Sequence, residues 1–369
     1  MKWITSPAAT ELEEVVTDWL RQMIGLPADF KGVIQDTASV ATLCAILAAR
    51  EKITGYLSNT EGLFAEKLRV YCSSEAHSSI EKAVRIAGIG SDNLVKIKVD
   101  NECKMLAEEL EQAIIEDRKN GFKPACIVGA LGTTGTCATD PIREISDIAG
   151  KQGVWFHIDA AFAGTALILP EFRKQTQGIE KADSIVLNPH KWMFTNFDCS
   201  TFFVRDEKHL QHTFRLVPGY LHTSNDDKVN DYSNWGIQLG RRFRALKLWF
   251  VIRNFGVKGL QEKIRAHIRL AEYFAEKVAG SELFELVVPR NLAVVCFRVS
   301  PESVKDIQEI NELNAELLER INKSGKAYMS HTVVNRKFTL RFVCAQTNTE
   351  KKYVDEALDI IFSLAKELI

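Results

Sequence analysis

The segment DSIVLNPHKW, residues 183–192, places a histidine and a lysine directly after a short apolar run. A short apolar run that ends in polar residues is typical of a buried strand in a parallel sheet. Ligands bind to such sheets at the carboxyl ends of the strands. Lys191 is therefore either a solvated charge beside a strand end or an amine held for chemistry, and the rest of the chain decides between the two interpretations.

Strand-like and helical segments alternate on both sides of this segment. A first helix is predicted from Thr10, a second over 38–52, and another after Asp140, which we expect to cap it ahead of Pro141. The helix over 38–52 is apolar on nearly all sides, which predicts that it is buried. The predicted strands are RVYCS (69–73), NLVKIKV (93–99), PACIVGAL (124–131), VWFHI (154–158), DSIVL (183–187) and STFFVR (200–205). This order predicts an α/β protein with a mostly parallel sheet and helices on both faces.

The pattern changes after about residue 255. A long helix leads into the strand-like segments LFELVV, AVVCFRV and KFTLRFV, with further helices over 303–323 and 349–367. We therefore predict a large domain over 1–255 and a smaller α+β domain over 256–369. The polar segment at about 213–235 has no clear periodicity, and a loop of that length in a compact protein is usually functional or mobile.

Composition excludes several classes of protein. The 369 residues carry a net charge of −1, which gives no electrostatic footprint for nucleic acid or an anionic membrane. No apolar run approaches the roughly 18 residues of a membrane span, and the first residues lack the apolar core of a signal peptide. The eight cysteines form no CxxC pair. We therefore expect buried free thiols, a cytoplasmic protein and no metal site.

Polar side chains follow four of the predicted strands. They are His77 after the first, Thr133 and Thr134 after PACIVGAL, Asp159 after VWFHI, and Asn188, His190 and Lys191 after DSIVL. Each has an ordinary structural explanation: a helix start for His77, a turn for the threonines, a helix cap for Asp159 and a surface charge for Lys191. His157, two residues before Asp159, is expected to be a partly buried strand histidine. Because the carboxyl ends of parallel strands share one edge, we expect the other side chains to form one site.

These residue types match the chemistry of one cofactor. A lysine amine forms a Schiff base with a carbonyl cofactor. An aspartate opposite a pyridine nitrogen keeps that nitrogen protonated, so that the ring accepts electrons. The helix that begins at Ala38 and Ser39 offers N–H groups for a phosphate. The sequence has neither a GxGxxG nor a GxxxxGK[ST] motif, so it predicts a pyridoxal phosphate site rather than a dinucleotide or P-loop site.

Several blocks of the sequence, in order, resemble the group II pyridoxal-phosphate decarboxylases, and within them the aromatic-L-amino-acid decarboxylase branch. The blocks are ITSPAATELE, AHSSIEKA, ALGTTG, HIDAAFAG, NPHKW, NFDCS and LGRRFRALKLWFVIRNFGVKGLQ, and they extend over essentially the whole chain from Ile4. The resemblance implies a fold type I large domain with a mostly parallel, mixed seven-stranded sheet, and a small C-terminal α+β domain. It also implies decarboxylation of an aromatic L-amino acid to the amine and carbon dioxide.

The resemblance also implies a role for each matching residue. Lys191 would form the Schiff base, Asp159 would pair with the pyridine nitrogen, and His77 would stack on the ring opposite Ala161. Tyr220, in a mobile loop, would reprotonate Cα, and Thr134 would lie near the cofactor oxygen and the substrate carboxylate. The phosphate would be held by Ala38, Ser39, Ser184, Asn188 and His190, and a homodimer partner's cofactor would meet Leu239 and Gly240.

Two features of the sequence depart from the family pattern. Met1 stands almost directly before the ITSPAATELE block, so we expect the family's N-terminal dimer clasp and one wall of its substrate pocket to be absent. Phe162 stands where relatives often have tyrosine. Two alternatives to the decarboxylase stay open: an oxidative aldehyde synthase on the same scaffold, and an inactive truncated chain. Relatives that act as aldehyde synthases tend to carry phenylalanine at the tyrosine position or asparagine at the stacking histidine, whereas this chain has Tyr220 and His77, which favours decarboxylation.

Overall fold

The computed structural model describes residues 2–63, 66–216 and 229–369. The chain forms two compact units. The first unit comprises 1–99, 105–131 and 139–260, and the second comprises 100–104, 132–138 and 261–369. The second unit therefore takes two short segments from within the first part of the sequence, as well as the C-terminal part.

A seven-stranded sheet is the centre of the first unit. Its strands are β1 (Lys31–Gln35), β2 (Leu68–Ser73), β3 (Leu94–Ile97), β4 (Lys123–Ala130), β5 (Trp155–Asp159), β6 (Ser184–Leu187) and β7 (Ser200–Val204). Their order across the sheet is β1-β7-β6-β5-β4-β2-β3. β7 pairs antiparallel with both β1 and β6, and the other neighbours are parallel. The predicted mixed, mostly parallel sheet is confirmed, and the start of β7 lies at the same edge as the carboxyl ends of the other strands.

Helices pack on this sheet. Within the first unit they are α1 (Pro7–Ile24), α2 (Ala38–Ile53), α3 (Ser58–Glu61), α4 (Ser79–Ile86), α5 (Ala107–Lys119), α6 (Ile142–Gln152), α7 (Pro170–Arg173), α8 (Pro189–Trp192) and α9 (Lys208–Phe214). α2 is buried, as its apolar sequence predicts, and its core residues join those of β2, β4 and β7 in one cluster. The Thr37 hydroxyl accepts a hydrogen bond from the Val40 N–H and caps the start of this helix.

The second unit contains an antiparallel sheet of β8 (Phe284–Leu286), β9 (Val294–Val299), β10 (Ser330–Val334) and β11 (Lys337–Val343), in the order β10-β11-β9-β8. Its helices are the later part of α10 (Arg244–Ala279), α11 (Ile307–Lys323) and α12 (Lys351–Leu368). α10 is interrupted at Gly256, whose φ of 63° is left-handed and suits glycine. The Phe274 ring stacks on the Phe342 ring with centroids 3.8 Å apart, which packs α10 against the sheet.

Some local predictions are wrong. Asp140 does not cap α6, because its carboxylate accepts hydrogen bonds from the N–H groups of Met105 and Ala130, at 2.9 and 2.7 Å. Pro141 consequently precedes α6 and is not its first residue. The first helix begins at Pro7, three residues before Thr10, since proline is well suited to a first helical turn. The strands β1 and β10 are short, and the sequence pattern did not indicate them.

All eight cysteines are buried and none is paired in a disulfide. The expected burial of the thiols is therefore confirmed. Among the described residues, no helix has the length and apolar character needed to cross a membrane.

Candidate active site

Asp159 is the last residue of β5 and lies at the carboxyl edge, level with Ala130 of β4 and Val186 of β6. One carboxylate oxygen, Oδ1, accepts a hydrogen bond from the Ala161 N–H at 3.1 Å. The other, Oδ2, accepts none from the described residues. The side chain is half-buried. Its free oxygen is thus available to a cationic N–H at the edge of the sheet.

Lys191 lies in α8, directly after β6. Its N–H donates to the Asn188 carbonyl at 2.9 Å, and the Asn188 N–H donates to the Ala161 carbonyl at 3.0 Å. These bonds join the loop after β6 to the loop after β5, so Lys191 and Asp159 belong to the same part of the edge. Lys191 is exposed within this chain.

The residue after Lys191 anchors α8 in the core. Trp192 is fully buried and its ring stacks on the Phe162 ring, with centroids 4.9 Å apart and planes 2° from parallel. A stacked aromatic pair of this kind holds the backbone of α8 in place. Phenylalanine at position 162 therefore serves the packing without a hydroxyl group.

The start of α2 lies at the same edge as Asn188 and His190. Gln35, the last residue of β1, pairs with Ser200, the first residue of β7, and α2 begins three residues after Gln35. The first N–H groups of a helix have no partner within the helix and point toward an anion placed there. Burial and the neighbouring Lys191 lower the pKa of His190.

His77 lies beyond the end of β2 and is exposed. Its Nδ1 accepts a hydrogen bond from the Ser79 N–H at 3.1 Å and lies 2.8 Å from the Ser79 hydroxyl. These contacts fix the ring against the start of α4. The structure thus holds an exposed imidazole ring just beyond the carboxyl end of β2.

Ser184 is not brought to this edge. It is the first residue of β6, three residues before the carboxyl end, and it is fully buried. Its hydroxyl accepts from the Trp155 Nε1–H at 3.0 Å and lies 2.9 Å from His157 Nδ1. The expectation that Ser184 contacts a phosphate is therefore not supported by its position.

The remaining expected site residues lie in different parts of the chain. Thr134 is exposed and belongs to segment 132–138 of the second unit, where the Arg341 guanidinium donates to the Gly135 carbonyl at 2.5 Å. Leu239 and Gly240 are exposed residues of the first unit. Tyr220 lies outside the described residues.

His157 is fully buried, deeper than the expected partly buried strand histidine. The Ser184 hydroxyl accepts from the Trp155 Nε1–H and contacts His157 Nδ1, and His157 Nε2 lies 3.5 Å from the Thr42 hydroxyl. This chain of polar contacts connects β5 and β6 to α2 beneath the site.

Acid should destabilise the protein through His157. Burial lowers its pKa from 6.5 to about 4, although Asp159 acts in the opposite direction. As the pH falls from 6.5 to 4, the unfolded chain binds this proton before the folded chain does, so the free energy of unfolding should decrease, by about 3 kcal/mol from this residue. Urea denaturation at several pH values measures the decrease. His157→Gln should show a shallower dependence on pH, and equal slopes for the two proteins would contradict the assignment.

The arrangement fits pyridoxal phosphate. A free carboxylate oxygen suits a protonated ring nitrogen, an exposed lysine amine suits a carbonyl, and a helix start with neighbouring Asn188 and His190 suits a phosphate. These groups come from the ends of β1, β5 and β6 and the start of α2. The sequence pattern did not indicate that Cys199 and Ser200 lie at this edge. They do so because β7 runs antiparallel to β6.

Comparison with known proteins agrees with this fit. Residues 1–300 match the family described as the pyridoxal-dependent decarboxylase conserved domain. Over 381 residues the chain is 42% identical to tyrosine decarboxylase 4 of Petroselinum crispum, covering 100% of this chain and 74% of that protein. It is also 42% identical to tryptophan decarboxylase 2 of Oryza sativa subsp. japonica, covering 100% of this chain and 75% of that protein.

Solved structures agree as well. The structure of Oryza sativa TDC with PLP and tryptamine matches with a TM-score of 0.95 and 38% identity, covering 99% of this chain and 78% of that chain. Catharanthus roseus tryptophan decarboxylase in complex with L-tryptophan matches with a TM-score of 0.93 and 39% identity, covering 100% of this chain and 78% of that chain. The chain therefore belongs to the pyridoxal-phosphate-dependent decarboxylase family.

Proposed function

We propose that the protein removes the carboxyl group of an aromatic L-amino acid and releases the amine and carbon dioxide. The observation that carries the proposal is that hydrogen bonds through Asn188 and Ala161 hold Lys191 and Asp159 together at the ends of adjacent strands. The names of the similar proteins, which are tyrosine and tryptophan decarboxylases, support an aromatic substrate.

Bound pyridoxal phosphate supplies an electron sink for the pair of electrons left when a carboxylate departs. We propose that the Lys191 amine would hold the cofactor through its carbonyl carbon until a substrate amine takes its place. Oδ2 of Asp159 would keep the ring nitrogen protonated, and His77 and Ala161 would lie on opposite faces of the ring.

The phosphate end of the proposed site is built from N–H donors. They come from the start of α2 at Ala38 and Ser39, and from the side chains of Asn188 and His190. We leave Ser184 out of this set, because its hydroxyl is buried and already engaged by Trp155 and His157.

The remaining assignments rest on the resemblance to the family. We propose that Thr134 lies near the cofactor oxygen and the substrate carboxylate, and that Tyr220 gives the proton that replaces carbon dioxide at Cα. Leu239 and Gly240 would meet the partner's cofactor in a homodimer. We also propose that residues 1–255 form the cofactor-binding domain, that 256–369 form a smaller domain, and that the protein acts in the cytoplasm, where its free cysteines stay reduced.

An aldehyde synthase is the second candidate. Phenylacetaldehyde synthase of Arabidopsis thaliana is 42% identical over 378 residues, so sequence similarity alone does not separate the two activities. Such an enzyme consumes oxygen and releases the aldehyde, carbon dioxide, ammonia and hydrogen peroxide in place of the amine.

Product analysis tests the proposal. The purified protein, supplied with pyridoxal phosphate and with L-tryptophan, L-tyrosine, L-phenylalanine or L-dopa, should release amine and carbon dioxide in equal amounts from at least one of them. Hydrogen peroxide and ammonia in place of the amine would establish the aldehyde synthase. No carbon dioxide from any of the four amino acids would contradict both candidates.

A further inference from the structure

We propose that Ser200 is a positioning residue, which orients the side-chain amide of Asn188 so that the amide offers its N–H groups to the cofactor's phosphate. The inference rests on the proposed function, because that function assigns Asn188 to the phosphate. It adds a residue that does not itself need to contact the cofactor.

The contact that supports the proposal is short and buried. The Ser200 hydroxyl donates a hydrogen bond to Asn188 Oδ1 at 2.5 Å. Ser200 is fully buried and Asn188 is 3% exposed, so water does not compete for this bond. An amide has one acceptor oxygen and one donor NH₂ group. With Oδ1 turned toward Ser200, the NH₂ group is directed away from it and donates to none of the described residues.

The residue directly before β7 acts on His190 in the same way. The backbone N–H of Cys199, the residue before Ser200, donates to His190 Nδ1 at 2.8 Å. A neutral imidazole whose Nδ1 accepts a hydrogen bond carries its proton on Nε2. The start of the antiparallel strand thus occupies the acceptor atoms of both side chains and leaves only their donors.

A donor-only arrangement is what an anion requires, since each remaining acceptor atom would repel it. Ser200 also pairs with Gln35, and α2 begins three residues after Gln35. The two oriented donors and the free N–H groups of the helix start therefore lie in one corner of the sheet edge. The effect of Ser200 should consequently be specific to the phosphate and should not extend to the ring.

The chain offers a matched control in the next residue of the same strand. Thr201 is also fully buried, but its hydroxyl has no hydrogen-bond partner among the described residues. Thr201→Val removes a buried hydroxyl at the same depth with little change in shape. This variant tests whether a loss of cofactor affinity in Ser200→Ala comes merely from a change in the packing of β7.

The experiment titrates the cofactor-free protein with pyridoxal phosphate and, separately, with pyridoxal, which lacks the phosphate. Ser200→Ala leaves Oδ1 of Asn188 without its donor, so the amide is free to turn its oxygen toward the phosphate. We expect Ser200→Ala to bind pyridoxal phosphate about 10-fold more weakly, the scale set by one lost hydrogen bond with an unsatisfied partner. Its affinity for pyridoxal should not change. Ser200→Thr, which keeps the hydroxyl, and Thr201→Val should both retain the ratio of the two affinities that the unmodified protein shows.

Several outcomes would overturn the inference. An unchanged ratio in Ser200→Ala, or an equal loss for both ligands, would show that Ser200 has no specific role toward the phosphate. If Ser200→Ala does not fold, Ser200→Cys keeps the volume with a much weaker donor, and it should show the same decrease of the ratio. If the unmodified protein binds neither ligand, the proposed function itself fails, and this inference fails with it.

Discussion

Lys191→Ala should abolish both the visible absorbance that the protein acquires with pyridoxal phosphate and the release of carbon dioxide. The substitution removes the amine that is proposed to hold the cofactor's carbonyl carbon, and no substrate exchange at that amine can then occur. We expect kcat to fall by roughly 10,000-fold or more, the scale seen when an enzyme loses its nucleophile. An absorbance titration and a carbon dioxide assay on the same preparation measure both effects.

The fold should not change, since Lys191 is exposed and its neighbour Trp192 carries the packing of α8. Lys181→Ala is the matched control. Lys181 is an exposed lysine of the first unit that forms an ion pair with Asp147, at 2.5 Å. This variant should keep the absorbance band and the activity. Retention of the band in Lys191→Ala would instead show that another amine holds the cofactor.

The sequence predicted the carboxyl-edge site because alternating strand-like and helical segments predict parallel strands, whose carboxyl ends share one edge of the sheet. Asp159 and Asn188 directly follow short apolar runs, Lys191 comes three residues after Asn188, and the structure joins the two loops by a backbone bond. Ser184 is the first residue of β6, and Asn188 directly follows the last. A strand rises about 3.3 Å per residue, so the two residues lie about 13 Å apart. The rule that ligands bind at carboxyl ends already argued against Ser184, whereas the resemblance to the family supplied it.

Other features depend on contacts between distant parts of the sequence. The loop that carries Thr134 belongs to the second unit, where Gly135 accepts from Arg341, 206 residues away. Asp140 has the residue type of a helix cap, but two N–H groups, one of them 35 residues away, bind its carboxylate instead. Nothing in the local sequence separates these cases from ordinary turns and caps. The role of Ser200 is hidden for a related reason, because only the antiparallel direction of β7 brings it to Asn188.

Asp159→Asn should leave a folded protein that binds the cofactor but scarcely turns over. Asparagine has the shape of aspartate, and its Oδ1 is still able to accept from the Ala161 N–H, so the end of β5 should be retained. The neutral amide no longer favours a proton on the ring nitrogen, and the ring then accepts electrons poorly. We expect kcat to fall by about 100- to 1000-fold, the scale set by removal of one electrostatic contact to the transition state.

Steady-state kinetics at saturating pyridoxal phosphate separates this loss from weaker binding. Asp147→Asn is the matched control, since it removes an exposed carboxylate of the same unit, which forms an ion pair with Lys181. Asp159→Glu keeps the negative charge but moves the carboxylate by one methylene group. It should recover part of the activity if the charge at this position sustains turnover. Full activity in Asp159→Asn would mean that the ring nitrogen is not held by this carboxylate. Oδ2 of Asp159 has no hydrogen-bond donor among the described residues. Full activity in Asp159→Asn would therefore leave no function for this carboxylate at the end of β5.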